Sequence, residues 1–332
     1  MRLENVLALT HGLLVNSPFV NIFENIVFDS KVVKRGDLFI AFDENEIESA
    51  IFNGAYGIIF DKPTQISDTE IAWIKVEDCD NSLKRLVRFN LVEKNITAYR
   101  CNEIIVKLAL QISTETNFLV IYGNTQSTYK QLTNLNQNSI VLFSPTLSDE
   151  NIFTNIKDLP VVKEKNIIIK EHTLFETSFI YDNIFFERQI LSPLFIPYLE
   201  ELLNLYKILN INFKLKRFSA IENFKAIFVN KNIEIKEFGG SDKVLIFEPR
   251  SDFAVMEVNY LQKMASWANI INLFPELEIS KFKDIKNVFF YKNKKDIVSI
   301  LKNNNFNFAL IVSADETILQ EARTKEQLTL EF

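Results

Sequence analysis

Short apolar runs separated by polar turns pattern the chain. Leu3–Leu9 has helical spacing, and strand-like pieces follow at Ile26–Asp29 and Asp37–Phe42. Glu46–Asn53 reads as a short helix stopped by Gly54, and the runs Tyr56–Phe60 and Ile71–Val76 read as strands. An amphipathic helix over about Asp80–Leu91 completes a first α/β block. Next, Cys101–Ser113 places Ile104, Ile105, Leu108 and Ile112 on one helical face and leads into an apolar strand, Phe118–Tyr122. From Gln131 to about Lys170 the pattern is irregular and rich in Asn.

The last third is more regular. A helix is predicted within Ser192–Leu209, beginning near Pro197, and Ile233–Glu248 reads as two strands joined through Gly239-Gly240. Val255, Val258, Leu261, Ala265 and Ala268 recur at helical spacing. Strands at Asn269–Phe274 and Asn287–Tyr291, a helix at Lys294–Asn303 and a strand at Phe308–Ser313 follow. Strands alternating with helices imply right-handed crossovers and a largely parallel sheet, so the expected class is α/β. There is no internal repeat and no low-complexity linker.

Composition narrows the function. At 332 residues and 47% hydrophobic content the chain suits two or three domains with real cores. A net charge of −6 argues against a general binder of nucleic acid or membrane surfaces. The basic clusters Lys214–Arg217 and Lys292–Lys295 are short and read as solvated surface. No apolar run approaches the ~18 residues needed to cross a bilayer, and Glu4, Thr10, His11 and Gly12 break any secretory pattern at the start. Cys79 and Cys101 have neither metal nor redox spacing. The expected location is the cytoplasm.

Glycine is scarce. The chain has seven, four of them within the first 57 residues, whereas average usage of about 7% would give roughly three times as many. Phosphate-binding loops depend on glycine, because backbone N–H groups must approach the oxygens closely. The stretch Leu119–Leu132, "LVIYGNTQSTYKQL", nevertheless has the outline of a strand, a phosphate-cradling loop and a helix.

Three motifs near the start carry a resemblance. They are Asp29-Ser30-Lys31, the run Lys34-Arg35-Gly36-Asp37-Leu38-Phe39-Ile40-Ala41, and Gly54-Ala55-Tyr56-Gly57. In order and spacing they resemble the UDP-binding domain of the Mur ligases, which add amino acids to UDP-N-acetylmuramoyl peptides with ATP. The resemblance is closest to the members adding the third residue or the terminal D-Ala-D-Ala. It implies three parts: a Mur-ligase-like N-terminal domain over 1–95, a reduced P-loop-like central ATPase segment over 96–215, and a small Rossmann-like C-terminal domain over 216–332. It also offers Ser30 as a contact to uracil, with a strand-end turn serine as the other reading. Where the family has a glycine-containing diphosphate loop, this chain has the acidic Asp43–Ser49, which would repel a diphosphate.

The same resemblance bears on the loop. The family pattern is G-x-x-G-K-T/S-T. Here Gly123 keeps the first glycine and Thr128 matches the hydroxyl that ligands magnesium, but Gln126 replaces the second glycine and Ser127 the lysine. That lysine neutralises the β- and γ-phosphates, and serine cannot. Lys130 lies three residues further on, and whether it substitutes stays open. Glu171 and His172 are candidate relics of the family's magnesium ligands, with a structural histidine as the alternative. In the last third, Glu248-Pro249-Arg250-Ser251-Asp252 stands where the family has D-x-Y-N-A-N-P, and Val312-Ser313-Ala314-Asp315 where it has K-G-S-R.

Together these readings predict a shortened, non-catalytic Mur-ligase-like binding or scaffolding protein linked to peptidoglycan precursor synthesis. No catalytic residue, metal ligand or cofactor is expected. The residues named for binding are Ser30 on the uridine side and Gly123, Thr128 and Lys130 in the loop. Expected partners are a UDP-muropeptide precursor or cell-wall synthesis proteins, with no nucleic acid and no membrane insertion. Two alternatives stay open: a divergent active ligase using ATP and magnesium, and a UDP-sugar-binding sensor.

Overall fold

The computed structural model describes residues 1–114, 117–132 and 135–319. The tail of the expected C-terminal domain, 320–332, therefore lies outside the described residues. The chain forms two compact units, one of residues 1–161 with 204–214 and one of residues 162–203 with 215 onward.

In the first unit, α1 (Leu3–Thr10) precedes β1 (Leu13–Leu14), β2 (Ile26–Val27), β3 (Leu38–Ile40), α2 (Ile47–Phe52), β4 (Gly57–Phe60) and β5 (Ala72–Lys75). These strands form a sheet in the order β1-β5-β4-β3-β2, parallel except where β1 meets β5. Period-two alternation sends Leu38 and Ile40 into one core and Phe39 with Ala41 into another on the opposite face. Gly36, at φ +101°, makes the turn into β3. Gly54, also at φ +101°, ends α2, and its N–H donates to the Ile51 carbonyl.

Helix α3 (Cys79–Glu93) is capped by Asp78, which accepts from the Asn81 N–H at 2.6 Å. It leads to β6 (Thr97–Arg100), α4 (Glu103–Ala109), β7 (Ser113–Thr114), β8 (Phe118–Val120), α5 (Thr125–Leu132), β9 (Ile140–Phe143) and β10 (Ile156–Asp158). A second sheet, all parallel, runs β10-β6-β9-β8. The buried face of α3, with Leu83, Leu86 and Val87, joins one core with Ile121, Tyr129 and Phe143 around this sheet. Strand β9 falls in the stretch read from sequence as irregular. Its four apolar residues are too few to show a period.

Further on come β11 (Ile168–His172), β12 (Thr177–Tyr181), β13 (Ile184–Gln189), α6 (Ile196–Ile208) and β14 (Phe213–Lys214). The first three form an antiparallel sheet in the second unit that the sequence reading did not foresee, and β14 pairs with β7 in the first unit. The second unit continues with β15 (Lys225–Val229), β16 (Lys243–Glu248), α7 (Ser251–Met264), β17 (Ile270–Pro275), α8 (Ile279–Phe282), β18 (Val288–Tyr291), α9 (Lys294–Asn303) and β19 (Phe308–Val312). Its sheet order is β15-β16-β19-β17-β18, parallel except for the antiparallel β15.

Two expectations change here. The partner of β16 is Lys225–Val229, not a strand ending at Gly239; the segment before Gly239 makes only an isolated bridge, Ile235 to Val229. On α7, Val255 is half exposed and the buried face is Ala254, Glu257, Val258 and Leu261. The face is turned so that a carboxylate, not a valine, enters the core.

Candidate functional site

The loop expected to hold a nucleotide begins where β8 ends. Its strand is shorter and less buried than the apolar run suggests: Phe118 and Ile121 are buried, but Tyr122 is 53% exposed. Helix α5 starts two residues after Gly123. Gly123 has φ +112°, which favours glycine, and a Cβ there would meet the Ser127 Oγ folded over it.

The loop closes on itself. The Asn124 Oδ1 accepts the Ser127 N–H at 2.9 Å, and the Asn124 carbonyl accepts the Ser127 hydroxyl and the Thr128 N–H, each at 2.9 Å. Gly123 donates its N–H to the Leu147 carbonyl at 2.9 Å, while the Gln131 amide donates back to the Tyr122 and Ser127 carbonyls. A phosphate cradle needs outward-facing donors at a helix N-terminus. Here the Gly123, Ser127 and Thr128 N–H groups are already taken by protein oxygens.

The side chains around the loop act in the same direction. Thr128 is fully buried, and its Oγ1 has no hydrogen-bond partner. The Thr125 hydroxyl donates to Asp80 at 3.4 Å. Lys84 sits between Asp149 at 2.9 Å and Asp80 at 3.0 Å; these bonds raise the lysine's pKa and lower that of Asp149. Two carboxylates thus flank the loop, and the cation beside them is already paired.

Lys130 belongs to a different feature. Its Nζ lies 5.1 Å from the centroid of the Phe28 ring, a cation–π arrangement. Both residues line a cleft of about 250 Å³ with Asn25, Lys34, Asp37 and Tyr129. Asp37, 1% exposed, accepts from the Asn25 amide at 3.0 Å and the Lys34 N–H at 2.8 Å. Burial pushes the Tyr129 hydroxyl up to about 12, and Asp37 adds to the shift. The sequence reading did not name Asn25, Phe28 or Tyr129. The signal available for the cleft was Asp37, a carboxylate at the head of an apolar strand.

Ser30 is not among the residues lining this cleft, although Asp29 and Val32 are. It is buried at the start of a single 3-10 turn, Ser30–Val32, capped by Asp29. Its N–H donates to the Glu46 carboxylate at 3.1 Å, and its carbonyl accepts from Asn53 at 2.9 Å. Glu46, from the acidic stretch, therefore occupies a donor that an anionic ligand would otherwise take. Glu171 and His172 lie on the exposed strand β11. Among the described residues no group of three or more His, Cys, Asp or Glu is arranged to hold a metal.

In the second unit the turn after β16 buries charge. Glu248 has no exposed surface and accepts from the Asn223 amide at 2.9 and 3.3 Å, the Phe224 N–H at 3.2 Å and the Arg250 N–H at 2.8 Å. Glu257, two turns along α7, is equally buried, and neither of its oxygens has a hydrogen-bond partner. Burial first, then the neighbouring Glu248, holds Glu257 well above the usual carboxylate range; burial also raises Glu248. Two carboxyl groups buried side by side disfavour a second negative charge.

No family model and no curated protein matches the chain. Among solved structures, MurF from Acinetobacter baumannii is similar to it with a TM-score of 0.54 at 10% identity, over 98% of each chain. The fold is Mur-ligase-like. A second A. baumannii structure, of UDP-N-acetylmuramoylalanyl-D-glutamyl-2,6-diaminopimelate–D-alanyl-D-alanyl ligase, matches at TM-score 0.49 and 10% identity, again over 98% of each chain. MurF ligase from Thermotoga maritima in complex with ADP matches at 0.47 and 14%, over 92% of this chain and 98% of that one. Identity this low leaves the chemistry to be argued from the residues. Among the described residues no helix is long and apolar enough to cross a membrane.

Proposed function

We propose that this chain is a non-catalytic Mur-ligase-like binding protein, shortened relative to an active ligase and tied to peptidoglycan precursor synthesis. The observation that carries the reading is the loop after β8. Its Gly123, Ser127 and Thr128 N–H groups are taken by Asn124 and Leu147 oxygens, and Ser127 stands where a phosphate-binding lysine is needed. The link to the precursor rests on the shared fold with proteins named as ligases of muramoyl peptides. The three-part division at 1–95, 96–215 and 216–332 belongs to the same proposal, and the change of sheet between Lys75 and Thr97 supports its first boundary.

A second reading, a sensor of UDP-sugars, is favoured by one feature. The cleft at Phe28 keeps an aromatic face for a base and two lysines, Lys34 and Lys130, beside the carboxylates of Asp29 and Asp37. Against it, Ser30 is engaged by Glu46 and Asn53.

A thermal-shift and calorimetry series with UDP, a UDP-N-acetylmuramoyl peptide and Mg·ATP separates the readings. The non-catalytic proposal expects no response to Mg·ATP and no ATP hydrolysis with any muropeptide. Hydrolysis stimulated by a muropeptide would establish an active ligase instead. A response to UDP that is lost in Lys130→Ala would favour the sensor.

A further inference from the structure

Part of the basic cluster that the sequence presents as solvated surface, Lys216 and Arg217, lines a cleft in the second unit. The cleft measures about 350 Å³ and lies between residues 215–217, just after β14, and residues 186–189 at the end of edge strand β13. Gln189 fixes these two segments to each other. It is 5% exposed, its Oε1 accepts the Phe218 N–H at 2.9 Å, and its amide donates to the Glu187 carbonyl at 2.7 Å. A buried, hydrogen-bonded side chain therefore sets the shape of the cleft, independently of the long side chains at its surface.

The lining is cationic. Arg188, Lys216 and Arg217 contribute positive charge, and Glu187 is the one carboxylate among the lining residues. In a chain of net charge −6 this is a local reversal of sign. The Arg188 guanidinium lies 3.4 Å from Glu176, yet its side chain stays 69% exposed. Among the described residues no carboxylate is within ion-pair distance of Lys216 or Arg217, and both are exposed. Like charges gathered without a counter-charge repel one another, and an anion between them removes that cost.

The backbone at Arg188 is a separate observation. Phe186 pairs with Phe179 and Gln189 with Thr177, so residues 187 and 188 stand opposite Ser178 alone, a β-bulge. In it Arg188 has φ +42°, and its N–H donates to the Ser178 Oγ at 3.0 Å. Left-handed backbone favours glycine or asparagine, and an arginine held there is strained. Bulges re-aim side chains, and this one brings a guanidinium to the cleft that Lys216 and Arg217 also line.

The chemistry of the lining selects the ligand. A guanidinium offers paired N–H donors that match two oxygens of a phosphate, and an ammonium adds a point charge. The apolar part of the cleft is Leu215 and Phe186, both half-buried, with the Phe186 ring stacked on the fully buried Phe179 at 5.2 Å. The volume suits a small molecule. We propose that this cleft binds a small organic phosphate monoester, with Arg188, Lys216 and Arg217 holding the phosphate and Phe186 and Leu215 contacting the organic part. The site goes beyond the function proposed above and does not rest on it.

The test is isothermal titration of the full chain, at low ionic strength, with phenyl phosphate, inorganic phosphate and phenol. Phenyl phosphate is expected to bind several-fold more tightly than inorganic phosphate, and phenol is expected not to bind. Lys216→Ala/Arg217→Ala changes only exposed side chains and should weaken phenyl phosphate binding about tenfold or more, the loss of charge-assisted contacts, with the melting temperature unchanged. Arg188→Asn suits the left-handed backbone and should weaken binding about tenfold without lowering the melting temperature. The proposal is overturned if phenyl phosphate does not bind, if phenol or inorganic phosphate binds as tightly, or if binding is undiminished in both variants. Tighter binding of a single-stranded oligonucleotide, titrated alongside, would also overturn it and assign the cleft to nucleic acid.

Discussion

Two strand-to-helix turns, one in each unit, follow parallel strands of the same Mur-ligase-like fold and handle their polar groups in opposite ways. The turn after β8 ties the Gly123, Ser127 and Thr128 N–H groups to the Leu147 carbonyl and to the side-chain and main-chain oxygens of Asn124, and its own segment carries no charge between Gly123 and Tyr129. The turn after β16 buries a carboxylate under three donor groups and sets a second, unbonded carboxyl beside it. The first arrangement occupies three of its N–H groups with neutral protein oxygens and needs no ligand for them, leaving the buried Thr128 hydroxyl unpaired. The second is costly, because it buries a carboxylate and sets an unpartnered carboxyl group beside it. A fold can therefore keep its outline while its turns diverge in what they bind.

The largest effect is expected at the charged turn. Glu248→Ala leaves the Asn223 amide and the Phe224 and Arg250 N–H groups without their acceptor. Urea unfolding should show a loss of about 3–5 kcal/mol, since each buried donor left without an acceptor costs roughly 1–3 kcal/mol. A loss below ~1 kcal/mol would mean that water or rotamer changes replace the carboxylate, and the two turns would then be alike.

The next effect is a pH dependence. Because Glu257 is held above its unfolded value, the folded state binds more protons than the unfolded chain between ordinary carboxylate pKa and the folded one. Its contribution is fully present below about pH 4.3 and is lost as pH rises through the folded pKa. Glu257→Gln puts an uncharged side chain of the same shape beside Glu248 at every pH. The variant should be more stable than the parent at pH 8, by roughly 1–3 kcal/mol, and the advantage should vanish at acid pH. Equal stability of the two proteins at every pH would show that the pair is not protonated.

How far the sequence anticipates the structure varies between these regions. The motif around Gly36 and the alternation Leu38-Phe39-Ile40 place a strand buried on both faces, because period two and a left-handed glycine are local signals. Helix α9 is legible for the same reason: its predicted and observed limits coincide, and Asn293 and Asp296 form a capping box. Strands β9 and β15 are not legible, being four and five residues long and fixed by pairing with distant neighbours. In the candidate site, the missing lysine can be read from Ser127. The self-capping by Asn124 depends on backbone geometry that residue types do not fix. Lys130 reads as a loop residue by proximity in sequence, yet a helical turn carries it to the cleft at Phe28. Glu257 is the hardest case, since a charge on a helix's buried face runs against every amphipathic pattern.

Smaller effects sharpen the comparison from the side of the neutral turn. Gly123→Ala combines a φ of +112° with contact on the Ser127 hydroxyl and should cost about 1–2 kcal/mol by thermal or chemical melting. Adding Ser127→Ala should recover the part due to contact and leave the backbone part. Asn124→Ala removes a helix cap and should cost about 0.5–2 kcal/mol. No loss in Asn124→Ala would mean that the cap does not hold the loop closed.

The most direct measurement is isothermal titration of Mg·ATP into the parent chain and into Gln126→Gly/Ser127→Lys. The double variant restores the backbone freedom and the charge, and it removes the hydroxyl that closes over Gly123. The account predicts no binding heat from the parent at millimolar nucleotide and measurable binding by the double variant. Micromolar binding by the parent, abolished by Lys130→Ala, would contradict it and show that the loop is rewired to hold ATP.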